Sequence, residues 1–214
     1  MAHRDSARAR ANTAQRRARI EYAARFVVAD GGFAAASINA VARAAACSPR
    51  HITSFFDSRD ELLRTVFANA AGHELEVVTE AVDACGTPDE VVGAVVEVFI
   101  RRSVAGRGLA YALLIEDVPD SVQRERRALR RGYVTVIAAA LKRTLGLDYP
   151  AEVFARSLVG AIAENLVDLL DPARSNPSAL EVEWHISTIA TYARAALTAL
   201  PRDNAPIAVA PAAG

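Results

Sequence analysis

Hydrophobic positions along this chain recur at helical spacing, and short runs of Ser, Thr, Gly and Pro separate one such stretch from the next. Ile20, Ala23, Ala24 and Val27 share one side of a first helix expected from about Thr13 to Asp30, with Gly31-Gly32 as its stop. Ser37 caps a short second helix through Ala45, whose Ile38, Val41 and Ala42 lie on one face. Ser48 and Pro49 open a third, proline occupying the first helical position where its missing N–H costs nothing. Ser58 and Glu61 have capping-box spacing and open a fourth helix towards Ala84. Five more follow. They open at Thr87-Pro88, beyond Gly106 to Gly108, at Pro119-Asp120, at Pro150 and at Asn176-Pro177, the last ending before Pro201.

The pattern predicts an all-α protein of about nine helices, and composition agrees. Hydrophobic residues make up 52% of 214, weighted towards Ala, with 6% aromatic, and no stretch alternates at period two between hairpin turns. Charge changes the picture more. Net charge is zero, yet residues 1–64 carry 11 Arg against 6 acidic residues, so an excess of five positive charges sits at the N-terminal end. A basic head meeting a polyanion and an acidic body that does not is one reading; a merely solvated tail is the other. Cys47 and Cys85 are too few for a disulfide framework or a Cys-rich zinc site, and His3, His51, His73 and His185 are scattered. No catalytic pair, metal or cofactor is expected. No apolar run approaches the length of a membrane span and the basic start lacks the apolar segment of a secretory signal, so the expected setting is cytoplasmic.

The expected organisation is a basic flexible arm at residues 1–12, a helix-turn-helix DNA-binding domain at 13–64, a larger helical body at 65–200 and a disordered tail at 201–214. The two short helices around Ser48 have the helix-turn-helix format, in which the second helix enters the major groove and the first braces it. Between Ile20 and Phe67 the ordered segments ADGGFAAAS, INAVARAAACS, ITSFF and SRDEL resemble the DNA-binding domain of the TetR (tetracycline-repressor) family of bacterial transcription regulators. The resemblance implies a repressor with a small-molecule pocket in its helical body. Four positions depart from the family pattern: Ala46 replaces a turn glycine, Cys47 an apolar residue, Thr53 a phosphate-contacting tyrosine and Arg59 a lysine.

Arg50 and His51, near the start of the recognition helix, are the candidates for reading base edges, with phosphate or solvent contact as the alternative. Ser37, Ser48, Pro49, Thr53, Ser54 and Arg59 are assigned to capping or to the DNA backbone. Phe56 is expected in the core, and Phe55 either there or against DNA. In the body, Glu97, Arg101, Tyr111, Glu164, Asn165 and Asp168 interrupt apolar helices and are the candidate polar handles of an effector pocket; for Glu97 and Arg101 a solvated ion pair is the alternative. The apolar faces of the last two long helices exceed what one chain buries, so a homodimer through them is expected, presenting two heads to a palindromic operator on double-stranded DNA. The rival reading is a helical interaction protein whose DNA-binding head is impaired at Ala46 and Thr53.

Overall fold

The computed structural model describes residues 2–146 and 150–199 of the chain, without the side chains of residues 2–7 and 9. The tail expected to be disordered, 201–214, lies outside them. Among the described residues all regular structure is helical: α1 Ala2–Ala35, α2 Ile38–Ala44, α3 Pro49–Thr53, α4 Arg59–Asp83, α5 Pro88–Ala105, α6 Arg107–Leu114, α7 Asp120–Leu145, α8 Ala151–Leu170 and α9 Ala179–Ala199.

Most helix starts are set by local chemistry. Ser37, Ser48 and Ser58 each accept a hydrogen bond from the backbone N–H three residues on, at 3.1, 3.2 and 3.1 Å. Thr87 and Glu90 close a full capping box, with Pro88 in the first turn. At α4 the box is only half made: the Glu61 carboxylate accepts from the N–H of Asp57 instead of returning to Ser58.

Two apolar clusters result. Ile20, Ala24, Val41, Ile52, Phe56 and Leu62 fill the smaller one, between α1, α2, α3 and the start of α4. The larger runs through α4 to α9, where Phe67, Val95, Ile100, Ile137, Leu141, Ile162 and Leu166 are fully buried. α4 packs along α7, α7 along α8, and α1 against α6.

The first helix corrects two expectations. It extends back to Ala2 through the segment read as a flexible arm, because that segment consists largely of Ala and Arg, both strong helix formers. It also continues through Gly31 and breaks at Gly32, whose φ of 76° and ψ of 178° lie in a region open essentially to glycine alone. The break exposes two N–H groups, and the carboxylate of Glu116, just beyond α6, takes both: Phe33 donates at 2.9 Å and Ala34 at 3.2 Å. A Cβ on residue 32 would sit 2.6 Å from that carboxylate.

The same junction is braced on both sides. Gly108 in α6 brings its backbone so near α1 that an added Cβ would lie 2.0 Å from the Ala29 carbonyl oxygen. Arg126 of α7, buried, donates to the carbonyls of Ala112, Leu113 and Glu116 and so closes the C-terminal end of α6 with a cation. Burial pushes its pKa down from the usual arginine value, with Arg130 adding to the effect.

Substituting Gly32→Ala should therefore cost about 1–3 kcal/mol, from the forbidden backbone region alone. A thermal melt checks this, each kcal/mol lowering the midpoint by roughly 2–4 °C in a chain of this size. An unchanged midpoint would mean that the break in α1 is not needed.

Candidate nucleic-acid interface

The turn between α2 and α3 is built residue by residue from its hydrogen bonds. Cys47 donates to the Ala42 carbonyl at 3.0 Å and Ala46 to the Arg43 carbonyl at 3.1 Å, the paired bonds of a Schellman helix ending. That ending needs a left-handed residue after the cap, and Ala46 takes it with φ 49°. An alanine thus holds a position glycine fills without strain. The Arg19 guanidinium, from α1, donates to the Ala46 carbonyl at 3.4 Å and helps to hold the turn. Cys47, half-buried against the smaller cluster, packs as a small apolar residue.

α3 then presents its first turn outward. Pro49 and Arg50 are exposed, and Arg50 has no side-chain partner among the described residues. His51 is half-buried, its ring edge-on to Phe55 at 5.1 Å between centroids. Ile52 and Phe56 point the other way and are buried, so the inner face of α3 is fully used in packing. Phe55, left between core and groove by its sequence, is half-buried at the margin of the cluster.

The polar candidates divide by what their protons are doing. Ser37 and Ser48 accept as caps, which leaves their hydroxyl protons free to donate to a phosphate oxygen. Thr53 and Ser54 spend theirs on the helix itself, donating to the carbonyls of Arg50 at 3.1 Å and His51 at 2.7 Å. As donors to phosphate these two are engaged.

Arg59 takes up the capping half of its assignment. Its guanidinium donates to the carbonyls of Phe33 and Ala36, closing the end of α1 from the start of α4. Its sequence neighbours give no hint of these partners, 23 and 26 residues away.

Two arginines of α1 are also built into the head. One is Arg19, above. The other is Arg17, which pairs with Glu21 at 2.9 Å, donates to the Phe55 carbonyl at 3.3 Å and lies over the Phe56 ring at 4.5 Å. Arg43, exposed in the last turn of α2, is a further cation on the bracing helix that the sequence reading passed over. Its place beside the turn was the available signal.

The six candidate effector residues of the body are not brought together. Glu97 and Arg101 form an exposed i,i+4 pair at 2.8 Å, and Arg101 also reaches Glu183 of α9 at 2.7 Å. Glu164, Asn165 and Asp168 are exposed on α8, with Asn165 donating to the Ala161 carbonyl at 2.8 Å. Tyr111 borders an open cleft with Gly31, Gly32, Arg107 and Glu116 instead.

The body's inner cavity has other walls. About 70 Å³ is enclosed by Val78, Phe99, Leu109, Leu113, Leu129 and Tyr133, with Glu74 and Arg102 at its edge. Arg102 clasps Glu74 through two bonds, at 2.7 and 2.8 Å. Burial, and next the Glu74 carboxylate, raises the Tyr133 phenol above its usual pKa.

A capped, tightly turned pair of short helices with an outward cationic N-terminus is the geometry of a helix-turn-helix transcription regulator. Residues 22–66 match the family model described as bacterial regulatory proteins, tetR family. No curated protein matches the chain.

Among solved structures the whole architecture recurs. A TetR-like transcriptional regulator from Rhodococcus sp. RHA1 is 21% identical, with a TM-score of 0.64 over 86% of this chain and 97% of its own. The fatty acid degradation regulator FadR of Bacillus halodurans is 14% identical, with a TM-score of 0.69 over 83% and 94%. FadR of Bacillus subtilis, solved in complex with stearoyl-CoA, is 15% identical, with a TM-score of 0.69 over 82% and 96%. Residues 22–66 thus carry the DNA-binding domain of the tetR family, and the whole chain shares the fold of these regulators.

Relieving the strained turn should stabilise the head. Ala46→Gly removes the positive-φ penalty and adds unfolded-state freedom, for a net gain of about 0.5–1 kcal/mol. A thermal or urea melt reads it directly, and a loss of stability would contradict the strain.

Proposed function

We propose that the protein is a ligand-responsive repressor that binds a near-palindromic operator as a homodimer in the cytoplasm. Residues 13–64 form the DNA-binding domain and 65–200 the effector-binding and dimerisation domain. The observation that carries this reading is the first turn of α3: Pro49 and Arg50 stand exposed, and the Arg50 guanidinium is without a protein partner among the described residues. An arginine so placed can bond bidentately to guanine in the major groove. His51 reads the neighbouring base edge, and the hydroxyls of Ser37 and Ser48 bind flanking phosphates.

Dimerisation through α8 and α9 is supported by where the apolar surface lies. Of the seven large hydrophobic side chains exposed among the described residues, five (Val153, Val167, Leu180, Trp184 and Tyr192) are on these two helices. Two copies then set their recognition helices about 34–36 Å apart, matching successive major grooves.

The effector enters the cavity between α4, α5, α6 and α7. At about 70 Å³ it is far smaller than a long acyl chain. Filling it parts α6 from its neighbours and strains the contacts of Gly108 and Glu116 with α1, which turns the head. The similar fold of the stearoyl-CoA-bound Bacillus regulator makes an acyl ligand the leading candidate. The Glu74–Arg102 pair at the cavity edge would open to it, freeing Arg102 for an anionic group.

Fluorescence anisotropy with labelled DNA from the flank of the protein's own gene, at two salt concentrations, tests the reading. Binding should prefer this DNA over a scrambled duplex and weaken as salt rises. Arg50→Ala should erase about 1–3 kcal/mol of that preference. Binding without preference would favour an interaction protein with an impaired head. Stearoyl-CoA should lower operator affinity by roughly 5–150-fold, the usual range of coupling between sites. No response at saturating concentration would remove acyl ligands as the effector class.

A further inference from the structure

From the face of α8 we infer the register of the homodimer: two copies cross antiparallel at Gly160, with Arg156 of each against Glu164 of the other. This rests on the dimer reading above and adds what that reading leaves open, namely which residues meet across the twofold axis.

The pattern about Gly160 is self-complementary. Val153 and Val167 lie seven residues to either side, and Arg156 and Glu164 four. At 3.6 residues per turn, all five fall within about 40° of one line along the helix. All five are exposed in the single chain, Val153 at 65% and Val167 at 39%. Neither Arg156 nor Glu164 has an ion-pair partner among the described residues.

Antiparallel apposition about residue 160 puts position 160 − n of one copy level with 160 + n of the other. Arg156 then meets Glu164 twice and Val153 meets Val167 twice, an attractive pair at each step. Crossing at any other residue of this face breaks the match. A twofold at Arg156 or Glu164 would set like charges against each other, and one at either valine would leave the charges unpaired.

The glycine adds an independent sign. An added Cβ at Gly160 would meet nothing within 4 Å in the single chain. A mid-helix glycine that its own chain does not need is weaker than alanine there. At the crossing point it lets two backbones approach closely, which gives the position its use.

Two measurements test the register, both on the full chain with Cys47→Ser and Cys85→Ser in the cross-linking arm. In sedimentation velocity, Arg156→Glu and Glu164→Arg should each weaken the dimer by about tenfold or more through like-charge contacts at two symmetric sites. The double variant should return to near the original constant. Under mild oxidation Gly160→Cys should give a covalent dimer, since its Cα atoms fall within disulfide range. Val153→Cys alone should not, its two copies standing about 21 Å apart along the helix.

A dimer whose constant is indifferent to the charge swaps and which fails to cross-link at 160 overturns the register while leaving the dimer intact. A monomer at every concentration overturns both.

Discussion

The carboxylate of Glu116 is the joint between the two parts of this molecule. α1 belongs to the head, yet its last turn breaks at Gly32, and the N–H groups of Phe33 and Ala34 just beyond donate to a side chain that lies 83 and 82 residues further along. Arg59 closes the other end of the same turn by taking the carbonyls of Phe33 and Ala36. Four residues are thus held by an anion below and a cation above. Arg126 fixes the backbone of Glu116 from behind, through the end of α6. This chain of partly buried bonds ties the end of α6 to the head.

The head itself combines a rigid apolar interior with an outward cationic turn. Its interior mixes alanines with Ile20, Ile52, Phe56 and Leu62, and Ser37, Ser48 and Ser58 each cap a helix there. The cost is concentrated at Ala46, where the turn requires a left-handed residue and the chain supplies one with a Cβ. Arg19 and Arg17 reach in from α1 and tie down the turn and the base of α3. Cations that look like a free arm in the sequence are therefore structural in part, and the charge left for DNA is more local than the N-terminal excess suggests.

Much of the fold was legible because helix boundaries are written locally. Ser37, Ser48, Ser58 and Thr87 are caps, Pro49 and Pro88 sit where proline is tolerated, and apolar spacing marks the buried faces. The C-terminal end of α1 was misread because glycine marks a potential break without saying which of two glycines takes it, and its start because an Ala- and Arg-rich segment has helix propensity that no cap announces. At the candidate site, the exposure of Pro49 and Arg50 followed from the cap at Ser48. The roles of Arg59, Arg17 and Glu116 did not, since each acts through a backbone group far away in sequence and no periodicity encodes such a pairing. The effector candidates do not gather at one place for a related reason. A polar residue interrupting an apolar helix shows that something differs there, but not on which side: Glu97 proved to face Arg101 and solvent, whereas the cavity edge is formed by Glu74 and Arg102.

The central claim is that two such heads read DNA together. The most direct measurement is a footprint of the protein on the DNA beside its own gene. The account predicts two protected major-groove segments related by a dyad, their centres about 10–10.5 base pairs apart or a multiple of that. A single protected patch without dyad symmetry, or protection that moves with no regard to sequence, would contradict it.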